Sequence, residues 1–309
     1  MKTLRYALGS VLFVGLVATA SIAQNGRTFV SGAGADTNPC SATSPCRTFG
    51  QAIAVTNSGG EVIVLTSAGY GPFTINKSIT IEAPAGAYAG ITVTSGDGID
   101  INAGTGTVIL RGLTVNNQGS SGTGIKFNTG ATLHIESCVV NGFTNGSSAG
   151  IEVAGPGNIV IQNTIARGNA AGILVDISTA GTSTVTMDQL HLDANNEGLF
   201  VNSTDSGAIV GAAIRNSSAS GNAGNGILMG ATKGAVFVNI ESCLIASNGN
   251  GLATLETGAV GQMSISNCAI NNNTGAGFSI SGFPIYSRGQ NTLIGNGPNI
   301  GTLTPLPGQ

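Results

Sequence analysis

The chain has 309 residues, of which 49 are glycine and only 8% are charged, with a formal net charge of −3. Ordinary domains carry about 7% glycine and about 25% charge. The glycines follow no three-residue period, which excludes collagen. The Ile/Val content excludes a solvated disordered chain, and the lack of a Lys/Arg cluster excludes a nucleic-acid binder. Residues 1–23 read as an export leader: Lys2 and Arg5, an apolar run from Leu8 to Ala20, then Ser21-Ile22-Ala23 as a small-x-small cleavage pattern. An uncleaved anchor is the alternative, but a spanning helix needs about 20 apolar residues, and the run is shorter. The mature chain is therefore expected to have no membrane span. Its expected location is secreted, periplasmic or cell-surface.

Next in order, residues 24–60 are expected to form a loop and a capping helix. Phe49, Ala52, Ile53 and Thr56 fall at helical spacing, and a solenoid needs its open end covered. From residue 61 to 294 the pattern changes. Gly followed by an apolar residue recurs at Gly98, Gly124, Gly150, Gly172, Gly198, Gly226, Gly251 and Gly277, in steps of 26, 26, 22, 26, 28, 25 and 26. Such a period marks a repeat architecture. Inside each repeat the apolar residues alternate with period two, as in Gly124-Ile-Lys-Phe and Gly150-Ile-Glu-Val. A second such segment follows, as in Leu133-His-Ile and Ile159-Val-Ile. No unit holds ten residues of helical period, and each is too short for a propeller blade of about 40 residues. A coil of short parallel strands remains. After Gly295, prolines 298, 305 and 307 break the pattern, and residues 295–309 are expected to be an extended tail.

Superposed repeats give columns. One runs through Leu113, Cys138, Thr164, Leu190, Ser217, Cys243 and Cys268 and points inward. Another holds Asn169, Asn195, Asn222, Asn248 and Asn273. Parallel strands stack like residues about 4.8 Å apart, so five aligned asparagines predict an amide ladder. The plainer alternative is that Asn is a common turn residue.

The stretch Asn38-Pro-Cys-Ser-Ala-Thr-Ser-Pro-Cys-Arg-Thr-Phe, then Gly59-Gly-Glu-Val-Ile-Val-Leu, Tyr70-Gly-Pro and Ile75-Asn-Lys-Ser-Ile-Thr-Ile, resembles the opening of bacterial right-handed parallel β-helix proteins of the pectate-lyase-like superfamily. The resemblance implies an all-β fold: a single-stranded right-handed parallel β-helix (solenoid) with a short N-terminal capping helix. Its implication for activity is broad, since the superfamily holds lyases, hydrolases, esterases, adhesins and tailspikes. The paired aspartates and Gly-His-Gly associated with polygalacturonases are absent, and the acids are dispersed where the lyases gather Ca²⁺ ligands. No cofactor motif and no metal site is read from the sequence.

Candidate functional residues follow from the columns. Asp100, Lys126 and Glu152 share one outward column, and Asp188, Arg215 and Glu241 another. Each reads as an ion-pair ladder, since a cation between two carboxylates keeps both ionised. Continued, the first column gives Leu174, Phe200 and Leu228 beside Asp176 and Asn202. This is an outward apolar strip for a polysaccharide or cell-surface partner, unless the 22-residue step turns these residues inward. His134 and His191 lie on different columns. Cys40 and Cys46 bracket a loop where an exported chain is expected to form a disulfide in preference to free thiols. Cys138, Cys243 and Cys268 are expected as core thiols. The function expected is non-catalytic binding of a glycan or surface partner through one sheet face. The alternatives are a polysaccharide lyase or hydrolase, and a structural envelope or adhesion component. Oligomeric state is not legible.

Overall fold

The computed structural model describes residues 25–306 except 147 and 257. The proposed leader, 1–23, lies outside the described residues. No described helix is long and apolar enough to cross a membrane.

Each coil contains three strands, and all pairings between coils are parallel. One coil shows the unit: Ile125–Thr129 in sheet I, Thr132–Glu136 in sheet II and Val139–Asn141 in sheet III. The three sheets contain nine, twelve and ten strands. Together they form a right-handed β-solenoid. Alternation sends Ile125, Phe127, Leu133, Ile135 and Val140 into a fully buried interior, while Lys126 and His134 face out. The third strand, only three residues long, is too short to register as a period in the sequence.

Three bends close each coil, and two of them repeat a recognisable device. Between sheets II and III a single residue takes the left-handed conformation: Ser137, Asn163, Gln189, Asn216, Ser242 and Asn267 have φ of 47–56°. The following residue turns inward and, except at Leu190, its side chain bonds back across the bend. Thr164 Oγ1 donates to Gln162 O at 2.8 Å, Ser217 Oγ to Arg215 O at 2.6 Å and Cys268 Sγ to Ser266 O at 3.1 Å. This explains why small hydroxyl and thiol side chains share that column.

The bend from sheet III to sheet I carries the asparagines. Asn169, Asn195, Asn222, Asn248 and Asn273 are at most 3% exposed. From each, Nδ2 donates to the next Oδ1 at 2.8–3.3 Å. The backbone N–H of each donates to that same oxygen at 2.8–3.1 Å. Nδ2 also donates to a carbonyl of the preceding coil, for example Leu192 O from Asn222 at 3.0 Å. The stack ends on a sixth rung, Asn296. The repeated glycine borders this stack. A Cβ on Gly172 would stand 2.6 Å from Gly198 O and 2.9 Å from Asn195 Nδ2. The 22-residue step keeps register, with Ile151 opposite Ile173 and Glu152 opposite Leu174. The step is short because the bend at 142–148 shrinks to 168–170 in the next coil.

Both ends differ from expectation. Residues 24–60 are more than loop and helix: Asn25–Val30 is a strand of sheet II paired with Thr56–Val64. Its partner lies about 30 residues away, so no local pattern marks it. Cys40 and Cys46 are joined, and their loop bonds along the outer edge of that strand through Phe29 and Ser31. An unpaired sheet edge is thereby covered. The helix Phe49–Val55 is N-capped by Thr48 and buries Phe49, Ala52 and Ile53. At the other end, residues 295–309 are not simply a departing tail. Thr304–Pro305 pairs with Tyr286–Ser287 at the sheet edge, where proline's missing N–H is tolerated.

Two substitutions test the stacking. Gly172→Ala forces a methyl group against a fixed carbonyl and is expected to cost about 1–3 kcal/mol in a denaturant titration. Asn222→Ala removes the side-chain bond to Leu192 O and leaves two donors of Asn195 without their acceptor, and is expected to cost at least about 2 kcal/mol. Asn296→Ala, at the end of the stack, is expected to cost less.

Candidate functional site

The outward column of sheet I is continuous from Thr74 through Asp100, Lys126, Glu152, Leu174, Phe200, Leu228 and Ala253 to Ser279. Its first half is polar. Lys126 Nζ lies 3.3 Å from Glu152. Asp100 accepts from Asn102 and Asn128 at 2.7 and 2.6 Å, so side-chain amides satisfy it. The second expected ladder is likewise partial: Arg215 bonds Asp188 at 3.1 Å. A third ladder, which the sequence analysis missed, places Arg111 2.7 Å from Glu136 and 3.8 Å from Glu82.

The second half of the column is apolar. Leu174 and Phe200 face outward and are half-buried. They form the floor of a depression of about 300 Å³, with Gly146 and Ser148 of the long bend on one side. Asp176 stands at one end of the floor, where its Oδ1 accepts from Asn202 Nδ2 at 2.9 Å. Leu228 continues the column but is only 7% exposed, so it closes the strip and adds no surface.

Glu197 stands at the other end of the depression, and nothing in its local sequence marks it. It starts the strand Glu197–Ser203, opposite Ala171. Its Oε2 accepts the backbone N–H of Asn225 at 2.9 Å. Partial burial raises its pKa above the ordinary carboxylate value, and the bonds from Asn225 offset only part of that rise. Glu197 and Asp176 lie five residues apart in register, about 16 Å along the strand direction.

Other polar groups gather elsewhere without forming a relay. On sheet III, His191 Nδ1 lies 3.1 Å from Ser218 Oγ and 3.8 Å from Asp193 Oδ2, and Ser218 also bonds Asp193 at 3.2 Å. Serine and aspartate thus approach the same ring nitrogen, whereas a catalytic triad needs one on each. His134, on sheet II, lies 3.7 Å from Glu136. Among the described residues no three His, Cys, Asp or Glu side chains gather as a metal site. Cys138, Cys243 and Cys268 are buried free thiols. Burial pushes Cys138 up to about 12. Cys243 is raised by its hydrogen bond with Cys268 and by burial.

No protein-family model and no curated protein matches the chain. Among solved structures, the chain is similar to the crystal structure of pectate lyase Pel9A, with TM-score 0.61 and 17% identity over 91% of this chain and 77% of that one. A rhamnogalacturonan lyase aligns at TM-score 0.36 and 12% identity, over 84% and 74% of the two chains. The first likeness establishes a pectate-lyase-like β-helix fold, and the second is too distant to add to it.

The raised pKa of Glu197 has a stability consequence. The folded chain holds this proton to higher pH than the unfolded chain, so the group opposes folding progressively as pH rises from the unfolded value through the folded one. Glu197→Gln keeps an acceptor for Asn225. The variant is expected to melt higher than the parent at pH 7, with the difference vanishing near pH 3.5.

Proposed function

We propose that this is an exported protein that binds an uncharged glycan, without turnover, on the outward face of sheet I. The observation that carries the proposal is the floor of Leu174 and Phe200 between Asp176 and Glu197. An aromatic face suits the C–H face of a pyranose ring. Carboxylates at the margins accept hydrogen bonds from sugar hydroxyls, and charged groups strengthen such bonds. Asp176 and Glu197 are the charged side chains lining the depression, so a polyanion would be repelled. The pectate lyase that shares the fold is named for action on a polysaccharide, which supports a glycan as partner. Export rests on the Lys2–Ala23 leader pattern.

The proposal is tested by affinity electrophoresis of the mature protein in gels containing neutral or acidic polysaccharides, with and without Ca²⁺. Products are assayed in parallel. Retardation by a neutral polymer without new reducing ends or unsaturated products is expected. Phe200→Ala is expected to weaken it about tenfold, or about 1.4 kcal/mol, with an unchanged melting curve. Release of products, or retardation by acidic polymers alone, would overturn the assignment.

A further inference from the structure

The outward face of sheet II holds a second depression, of about 360 Å³. It exists because Gly211 interrupts the strand Ala208–Arg215. The strand has no bulge there: Thr184, Gly211 and Phe237 are in regular register across three coils. The backbone at Gly211 is not left-handed, and a Cβ would meet nothing nearer than Ser183 O at 4.0 Å. Gly172 and its counterparts are fixed by close approach, and Gly168 and Gly221 by positive φ. Neither reason applies to Gly211. A glycine inside a strand weakens it and marks a bulge, a bend or the close approach of something else. The register shows no bulge at Gly211, which leaves the close approach of a group from outside the chain, and the lining side chains indicate which.

The walls define its chemistry. Phe237, 40% exposed, stands beside Gly211. Toward the other strand end come Thr186, Asn239 and Ser264, then Arg288. Ser264 Oγ donates to Asn239 Oδ1 at 2.7 Å, which turns the Asn239 amide NH₂ toward donation. Arg288 is the one charged side chain lining the depression, and among the described residues it has no carboxylate partner. The exposed apolar residues Ile209 and Val260 lie one column away on the side opposite Arg288.

We propose that this depression is a second binding site, for a pyranose ring bearing a carboxylate. The ring lies on the Gly211 floor against Phe237, its hydroxyls meet Asn239 and Thr186, and its carboxylate meets the Arg288 guanidinium. A planar guanidinium matches a carboxylate through two parallel bonds. The charge is opposite to that of the sheet I depression, and the two proposals stand independently.

The test titrates the full mature protein with methyl β-D-glucuronide, its neutral methyl ester and methyl β-D-glucoside, followed by NMR chemical shifts. Millimolar binding of the glucuronide is expected, at least fivefold tighter than either neutral analogue. Gly211→Leu, whose Cβ meets nothing nearer than 4.0 Å, places a branched side chain in the depression and is expected to abolish binding with an unchanged melting temperature. Arg288→Gln is expected to remove the preference for the acid, and Phe200→Ala to change nothing. Equal binding of all three sugars, no binding, or glucuronide binding that survives Gly211→Leu would overturn the proposal. So would a concentration-dependent dimer that Gly211→Leu dissociates, which would identify a second copy as the occupant.

Discussion

Stacking at one strand-width forces every position in a coil to meet its own counterparts above and below. Like charges in such a column would repel, so charge is sparse and several cations sit beside carboxylates, as at Lys126–Glu152 and Arg111–Glu136. Like amides, by contrast, complete one another: each can donate upward and accept from below, which a buried polar group needs. The Asn169–Asn296 stack is that solution. It presses the chain so closely that the adjoining position must be glycine, as the Gly172 geometry shows. Glycine excess and charge deficit therefore share one cause.

The two faces diverge where the stacking constraint is relaxed. Outward positions meet solvent as well as their counterparts, so sheet I can change from a charged to an apolar column at Leu174 without disturbing the interior. The long bend at 142–148 raises a wall beside that change, and the following short bend leaves the floor open. On sheet II, the loss of one side chain at Gly211 achieves a similar concavity by subtraction. In both cases the rigid, regular core fixes the positions of a few variable side chains.

Much of this was legible in the sequence, because repetition makes register visible. The glycine spacing gave the coil, and the asparagine spacing marked the positions of five rungs. The sixth, Asn296, was hidden by the prolines that follow it. The strand Asn25–Val30 was missed because its pairing is non-local, and the capping helix was visible because its spacing is local. At the site, the sequence left open whether Leu174, Asp176, Phe200 and Asn202 face outward, because of the 22-residue step; the strand register across that step is regular and turns them out. The burial of Leu228 depends on packing that no alternation encodes. Glu197 was invisible because its role comes from Asn225, one coil away. Gly211 did carry a signal, a glycine inside an otherwise regular alternating segment, but its meaning appears only when nothing is found to approach it.

The asparagine stack also divides the molecule. It begins at Asn169, and the coil below is joined to it by the backbone N–H of Phe143. Before that point the corresponding bends are longer and held by assorted contacts such as Asn117 with Ser120 and Gly142. A solenoid's stability is approximately the sum of its repeats and their nearest-neighbour interfaces. The chain is therefore two blocks of unequal coupling joined at the 22-residue step. The carboxy-terminal coils share one continuous stack of hydrogen-bonded amides from Asn169 to Asn296, whereas the amino-terminal coils are linked at this bend by unlike contacts. The sheet I depression lies where the two kinds of bend meet, with Gly146 and Ser148 of the long bend on its wall.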